Sequence, residues 1–540
     1  MPSETQYKSS TARSYRVRRQ ARGADAPDTV AFATKPKSVD QSAPEPSDTI
    51  ALIAFHGMGN QIEFQTLDQV AEGLLRVQAD LNGVRPAPSV ESIRADDLLL
   101  RRLSFTLSRS GVTRHVDLYE VYWAPFTEGQ VVLRDVLSFL IGAGLNATRR
   151  FSDEFKRWIF GRFEPFPIPR STRFSLMAAL AVVVSLVFLN TAAGALYAMR
   201  FADTSPAWLT AGLLKDITTA LGALAAMYLL FGILLGAGVR VRNARRKRAA
   251  KPAPGSFAIP ALLAGLIRWT FRLSLAVTIF ASALAAVILV KHRLGPEEPA
   301  LLGSPEWLGQ TWTMVLVWIL LLAASYVIRR FLIQYVGDVV AYVYSFTLDK
   351  FYDLRKSIKD RATETARAVY GLLNDDAVGT LRYRKVLMVG HSLGSVVAYD
   401  TLNRLLDDDA AAAKTGSALD VMGRTSMLLT FGSPLDKTAY LFRTQQHSTG
   451  AAREALAAAA QPLINDPCFR PPSFKWLNIF APKGNDLIGA SVDFYQPMTG
   501  FPNPVQNVAD PDASIPVIAH TEYWHNPLIW RELHDRIMTC

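Results

Sequence analysis

The clearest capacity for chemistry lies in the stretch Lys385–Asp400, KVLMVGHSLGSVVAYD. Its apolar run ends at Gly390-His391-Ser392-Leu393-Gly394, and a helical pattern of small residues follows directly. A G-x-S-x-G pentapeptide between a strand and a helix predicts a sharp turn that exposes the serine hydroxyl as a nucleophile. A side chain at Gly390 or Gly394 would collide there with the neighbouring strand or helix. Without this context Ser392 would be an ordinary helix N-cap.

With two further segments, this pentapeptide resembles the α/β-hydrolase superfamily, specifically its lipase- and esterase-like serine hydrolases. The two segments are Phe55-His56-Gly57-Met58-Gly59 and Phe431-Gly432-Ser433-Pro434-Leu435. The resemblance implies an α/β fold, a mostly parallel sheet with helices on both faces, and an activity that needs no metal or organic cofactor. It covers only the two blocks on either side of a long apolar region. We therefore expect this fold to be interrupted by an all-α transmembrane insertion.

The segment around His56 follows Thr49–Phe55, a continuous apolar run typical of a strand buried on both faces of a parallel sheet. The resemblance places one backbone N–H of an oxyanion hole here, which we assign to Met58, with Gly57 as the alternative. The second donor would be the N–H of Leu393. If the segment is instead an ordinary turn, His56 is a structural histidine. The remaining residues expected to shape or line the site are His56, Gly57, Gly390, His391, Gly394 and Gly432.

The resemblance also implies that an acid and then a histidine follow the serine along the chain. We expect Phe474–Phe480 to be a strand, with Asp486 in the loop after it as the acid. Asp436 and Asp493 are competing carboxylates. His520 follows the apolar stretch Ile515–Ala519, expected to be the final strand, and His525 is the alternative base. The expected catalytic residues are Ser392, Asp486 and His520.

Two other polar residues fit structural roles better. Ser433 follows a predicted buried strand, Thr425–Phe431, but Pro434 disfavours the helical backbone that a nucleophile turn requires. Glu120 lies in a predicted strand, Val116–Trp123, whose alternation favours a polar residue on the outer face. That strand pairs in our prediction with Leu103–Leu107 across a turn at Ser110-Gly111, and Phe64–Leu81 is expected to be an amphipathic helix.

Composition indicates a membrane protein. The chain has 540 residues, of which 50% are hydrophobic, and a mean hydropathy of +0.14, high for a wholly soluble protein. Cys468 and Cys540 are the only cysteines, and neither lies in a metal-binding spacing, which favours a reducing compartment. Residues 1–48 are polar and basic without periodicity, so we expect a disordered tail. No hydrophobic stretch follows Arg18-Arg19 within signal-peptide distance, and we expect no cleavable export signal.

Four apolar segments are long enough to cross a bilayer: Phe174–Met199, Ile217–Val239, Leu273–Val290 and Thr311–Ile328. Phe257–Ile267 is too short and is expected to be re-entrant or interfacial. Basic residues concentrate before the first span, between the second and third, and after the fourth, which places both flanking blocks on the cytoplasmic side. The expected organisation is a tail (1–48), a first hydrolase block (49–148), a membrane region (149–334) and a second hydrolase block (335–540).

These features predict a multi-pass protein of the inner or plasma membrane, with a serine hydrolase domain that cleaves carboxylic esters. The expected partners are membrane lipids and an ester substrate, with lipid esters ahead of small soluble esters. The net charge of +11 is explained by the membrane-flanking arginines and lysines, so no nucleic acid is expected. The alternative is a non-catalytic membrane protein that uses a hydrolase-like domain for interaction or regulation. The sequence does not specify the oligomeric state.

Overall fold

The computed structural model describes residues 49–149, 155–166, 211–294, 349–373, 381–444, 451–493 and 505–540, apart from gaps of one to three residues, and scattered positions within 177–194 and 312–342. The strands in these ranges are β1 (Thr49–Phe55), β2 (Ser89–Ala95), β3 (Leu98–Arg109), β4 (Val112–Val121), β5 (Phe155–Ile159), β6 (Arg162–Phe166), β7 (Lys385–His391), β8 (Thr425–Phe431), β9 (Lys475–Phe480) and β10 (Val505–Ala509).

Eight of these strands form one mixed, mostly parallel sheet in the order β10-β9-β8-β7-β1-β4-β3-β2. β1 is parallel to both of its neighbours, β4 and β7, whereas β2 and β3 join at one edge by antiparallel pairing. Strands from before and after the long apolar region therefore lie side by side. The register sets Phe55 beside Gly390, so the two glycine-containing segments leave the sheet at the same edge.

The described helices are α1 (Gln65–Asn82), α2 (Ala124–Thr127), α3 (Leu133–Arg149), α4 (Ala211–Arg248), α5 (Ala261–Leu294), α6 (Asp349–Gly371), α7 (Leu393–Ala413), α8 (Val421–Arg424), α9 (Leu435–Thr444), α10 (Ala451–Ala459), α11 (Pro462–Asn465), α12 (Ala519–Glu522) and α13 (Pro527–Thr539). Helices α6 and α7 cover one face of the sheet, and α1 and α13 cover the other. Alternate residues of β1 enter these two cores, which explains its continuous apolar sequence. The sheet with helices on both faces is an α/β architecture.

Most predicted elements of this layer are confirmed. β1 and β8 have the predicted bounds, β9 begins one residue later, and α1 begins and ends one residue later. The predicted hairpin is present as β3 and β4, which are longer than expected and turn at Ser110-Gly111. The edge strand β2 was not predicted, because its side chains are largely exposed and carry no apolar alternation.

The prediction of a final strand at Ile515–Ala519 is wrong. The last strand is β10, and the chain then forms an irregular loop, residues 510–518, before α12. Ile515 is buried, but it packs against residues of α4 and α5 and not within the sheet. Its apolar character therefore reflects a contact with the candidate membrane helices.

Helices α4 and α5 are the two described helices that are long and apolar enough to cross a membrane. The relevant parts are Thr219–Arg248 and Ala261–Val287; their most apolar windows have mean hydropathies of 2.1 and 1.7, and only 17% and 28% of these windows are buried within the protein. Helix α4 contains the whole second predicted span, and α5 contains the whole third.

Two details of the membrane prediction are corrected. Phe257–Ile267 is not a separate segment, because its second half is the start of α5 and its first half packs against Ile515. The basic run from Arg240 to Arg248 continues α4 as helix. The predicted spans Phe174–Met199 and Thr311–Ile328 lie outside the described residues apart from scattered positions, and the predicted tail 1–48 lies wholly outside them.

Candidate active site

Ser392 occupies a strained turn between β7 and α7. Its backbone angles, φ 54° and ψ −130°, are unusual for a residue with a side chain. A Cβ at Gly390 would lie 2.6 Å from Ser395 Cα on α7, and one at Gly394 would lie 2.3 Å from the carbonyl oxygens at the end of β1. Both glycines are therefore required by close approach, as predicted from the pentapeptide.

The side chains of Ser392, His520 and Asp486 form one buried hydrogen-bonded chain. Ser392 Oγ lies 2.9 Å from His520 Nε2, and His520 Nδ1 lies 3.0 Å from Asp486 Oδ2. The serine follows β7, the aspartate follows β9, and the histidine lies on α12 after β10. This geometry allows the imidazole to accept the serine proton while the carboxylate orients the ring.

The carboxylate of Asp486 is held by four donors. Its Oδ1 accepts hydrogen bonds from the amides of Ile488 and Gly489, at 2.8 and 2.9 Å. Burial by itself raises the pKa of Asp486, but His520, Lys437 and the Ile488 amide outweigh burial and hold the pKa below its ordinary value. Asp486 is therefore ionised at neutral pH and can stabilise a protonated His520.

Tyr523 supplies the fourth donor and was not predicted. Its hydroxyl lies 3.2 Å from Asp486 Oδ2, the oxygen that also accepts the hydrogen bond from His520 Nδ1. Burial raises the pKa of Tyr523 well above its ordinary value, so the phenol remains a donor. The signal in the sequence was its spacing, because Tyr523 follows His520 by three residues and so lies on the same side of a helical turn.

His391 connects the serine turn to the histidine segment. Its Nε2–H donates to the backbone oxygen of His520 at 3.1 Å, and its ring packs 5.0 Å from the ring of His520. Burial lowers the pKa of His391 to about 3, so the ring is neutral at physiological pH. Gly432 closes the other side, since a Cβ there would lie 3.3 Å from His520 Cε1.

The amides of Met58 and Leu393 remain available near Ser392. Within the described part of the chain neither N–H meets an acceptor, whereas the Ser392 amide already donates to Phe431 O at 3.1 Å. The loop that carries Met58 closely approaches Ser392, because a Cβ on Gly57 would lie 2.9 Å from Ser392 Cβ. An oxyanion would therefore find unpaired donors on both sides of the serine.

His56 has a structural environment. Its Nε2 accepts hydrogen bonds from the amides of Trp123 and Ala124 at 2.9 and 3.2 Å, and its ring stacks on Trp123. Burial lowers the pKa of His56 to about 4, so the ring stays neutral. Its side chain binds the residues that follow β4, and its backbone oxygen lies against Gly394. The backbone of His56 therefore lies against the serine turn, whereas its side chain is hydrogen-bonded to Trp123 and Ala124.

The competing residues lie outside the hydrogen-bonded chain. Asp436 accepts from the amide of Asp493 at 2.9 Å, His525 is exposed, and Ser433 accepts a hydrogen bond from Ser395 at 2.7 Å.

Glu120 is partly buried, in contrast to its expected outer-face position. Its Oε2 accepts from the Phe64 amide at 2.6 Å, and burial raises its pKa to about 7.

Among the described residues, no group of three or more His, Cys, Asp or Glu side chains could hold a metal ion. Comparison of the chain with protein-family models, with curated proteins and with solved structures finds no match. The chemical assignment therefore depends on the geometry of the site and on the sequence patterns around it.

Proposed function

We propose that this chain is a membrane-anchored serine hydrolase of the α/β-hydrolase class that cleaves carboxylic esters through an acyl-enzyme. The observation that carries the proposal is the buried chain of hydrogen bonds from Ser392 through His520 to Asp486. The strained serine turn, the sheet order and the unpaired amides beside the serine support it.

In the proposed reaction, Ser392 Oγ attacks the ester carbonyl carbon while His520 Nε2 takes its proton. The tetrahedral oxyanion is held by the amides of Met58 and Leu393, each worth about 3 kcal/mol of transition-state stabilisation. Collapse breaks the ester C–O bond, and His520 returns the proton to the leaving alcohol. Water then repeats the sequence, which releases the acid and restores Ser392.

We propose lipid esters as the substrate class, ahead of small soluble esters. Helices α4 and α5 expose large apolar side chains along their lengths, as expected for contact with acyl chains. Examples are Leu229, Ile233, Leu262, Phe280 and Val287. The segment that precedes His520 packs directly on these helices, so the site lies close to the region that lipid would surround.

The proposed membrane topology has four spans and places the hydrolase blocks on the cytoplasmic side. It is supported by two described helices of sufficient length and by the basic residues that flank the four apolar segments. Reporter fusions within residues 291–307 and at the C-terminus test it. The loop reporter should be active only on the side opposite the C-terminal reporter, and signals from the same side would exclude this topology.

The decisive test of activity uses the full chain in isolated membranes. A tagged fluorophosphonate should label the parent protein and not Ser392→Ala, because only an activated serine hydroxyl reacts at an appreciable rate. The His520→Ala and Asp486→Ala variants should lose most labelling and ester turnover. A folded parent that fails to label or to hydrolyse any ester would favour the non-catalytic interaction role.

Ester chain length and presentation separate the substrate classes. The parent is offered dispersed short-chain esters and lipid esters in vesicles at matched ester concentration. Preference for the vesicles supports a lipid substrate, and equal turnover of both would favour small soluble esters.

A further inference from the structure

The turn between α4 and α5 is hydrogen-bonded to the loop that precedes His520. The carboxylate of Asp512 accepts two backbone hydrogen bonds from this turn, and the hydroxyl of Ser514 accepts a third. The donors are the amides of Gly255, Phe257 and Ile259, at 2.8, 2.7 and 3.0 Å. The candidate membrane helices are thus joined to the base-carrying segment by directed polar contacts.

An apolar contact and a strained residue reinforce this connection. Ile515 is buried in a small cluster with Ile259, Ala264 and Ile267. Two residues later, Val517 has φ +75°, a conformation that is costly for a β-branched side chain. The Val517 amide donates to Asn485 O at 2.9 Å, so the strained residue ties the base-carrying loop to the loop of Asp486.

Asn485 is the point where three segments meet. Its backbone oxygen accepts from Val517, its Nδ2 donates to Ala513 O at 3.1 Å, and its Oδ1 accepts from Arg268 Nη1 of α5 at 2.8 Å. Asn485 is buried and directly precedes Asp486. Arg268 is therefore linked to Asp486 through one intervening residue, Asn485.

A second arginine, on the other candidate membrane helix, contacts a residue close to His520. Arg242 of α4 forms an ion pair with Glu522, and both side chains are buried. Glu522 lies on α12, two residues after His520. Each candidate membrane helix thus contributes one guanidinium, and each guanidinium contacts a neighbour of one member of the acid–base pair.

We propose that Arg268 and Arg242 are positioning residues, through which the α4–α5 hairpin fixes Asp486 and His520 relative to Ser392. This inference rests on the proposed serine hydrolase function. The hydroxyl and the imidazole must be aligned for proton transfer, and a displacement of about 1 Å can lower the rate of an aligned step about 100-fold. Neither arginine contacts the reacting groups.

The test uses the full chain in lipid nanodiscs, with Arg268→Met, Arg268→Lys and the matched control Arg272→Met. Arg272 lies one turn further along α5 and is exposed. Fluorophosphonate labelling run to completion counts reactive sites, and turnover of a soluble short-chain ester is then expressed per counted site. We expect Arg268→Met to keep the parent number of sites, with kcat about 10- to 100-fold lower and KM little changed.

Arg268→Lys retains a donor and should recover part of that loss, while Arg272→Met should match the parent. In a double-variant cycle, the fold-loss of kcat in Arg268→Met with Asn485→Ala should be smaller than the product of the two single fold-losses. Both changes break the same hydrogen bond, so its loss counts only once.

Other results overturn the inference. Parent turnover per site in Arg268→Met would exclude positioning, and fewer sites of normal turnover would show a role in folding alone. A parent that matches Ser392→Ala in labelling and turnover would instead remove the proposed function, and this inference with it.

Discussion

The two segments that meet at the site are held in different ways. Ser392 lies on a turn formed by its neighbours in sequence, since β7, the two glycines and α7 all lie within residues 385–413, and this turn packs against the end of β1. His520 and the loop before it are fixed by distant residues, in α4, α5 and the Asp486 loop. Ser392 thus has a mainly local scaffold, and His520 and Asp486 have a tertiary one. Changes in the first should be all-or-none, and changes in the second should be graded.

Gly394→Ala should have the largest effect, because it disrupts the packing of the serine turn against the end of β1. The added methyl group would lie 2.3 Å from the backbone oxygens of both Phe55 and His56, which the sheet holds in place. We expect turnover per mole of folded protein to fall at least about 100-fold. Gly371→Ala is the control, because its nearest neighbour would be 4.0 Å away. Parent-rate labelling of Gly394→Ala by the serine probe would contradict a rigid turn.

Arg242→Met should be the most damaging change in the tertiary scaffold. It leaves the buried Glu522 carboxylate without its ion-pair partner, at a cost of about 3 to 5 kcal/mol. We expect a lower thermal midpoint in nanodiscs, and recovery when Glu522→Gln is added. Arg248→Met, an exposed change near the end of the same helix, should leave the midpoint unchanged. If Glu522→Gln gave no recovery, the ion pair would not be the cause.

His56→Gln tests how the loop of Met58 depends on pH. In the parent, the folded state keeps His56 neutral, with a pKa of about 4, whereas the unfolded chain protonates near 6.5. The associated stability is present above about pH 6.5 and is lost as the pH falls through 4, by about 3 kcal/mol. Glutamine can still accept the amide of Trp123 but cannot be protonated.

The measurement for His56→Gln is the unfolding midpoint in nanodiscs between pH 7 and 4. We expect the variant to lose less stability over this range than the parent. Identical pH dependence of the two proteins would show that His56 titrates alike in both states.

Tyr523→Phe should have the smallest effect. It removes one of four donors to Asp486 and keeps the ring, so the loss should be about 1 kcal/mol, or roughly fivefold in kcat. Tyr370→Phe is the control: its buried hydroxyl pairs with Thr425 Oγ1 at 2.6 Å, at the opposite end of β8. That variant should lose stability but keep its turnover per site. Equal kcat values in both variants would mean that Tyr523 only stabilises the fold.

The same contrast explains what the sequence could predict. The strands β1, β8 and β9 and the serine turn are encoded by apolar runs and glycines within a few residues, and they were placed to within one residue. Ser392, Asp486 and His520 were selected through motif order, and the structure brings them together. These features depend on local patterns.

What was missed depends on contacts between distant segments. Ile515 resembled a strand residue because it is apolar, but its partner is a helix more than 200 residues earlier in the chain. Tyr523 and Arg268 carry no motif, and their roles become visible only when the Asp486 loop is in place. Glu120 was expected to face outward, because the alternation of the strand does not show that the distant Phe64 amide donates a hydrogen bond to its carboxylate.

The position of β1 between β4 and β7 bears on how the chain is made. Lys385, the first residue of β7, is synthesised 330 residues after Phe55, the last residue of β1. Until β7 arrives, β1 presents an unpaired apolar edge, the feature of nascent chains that promotes misassociation. The apolar region is translated during that interval. In the proposed membrane arrangement, insertion would therefore begin before the sheet is complete, and Ser392 would meet His520 and Asp486 only after the apolar region has reached its bilayer.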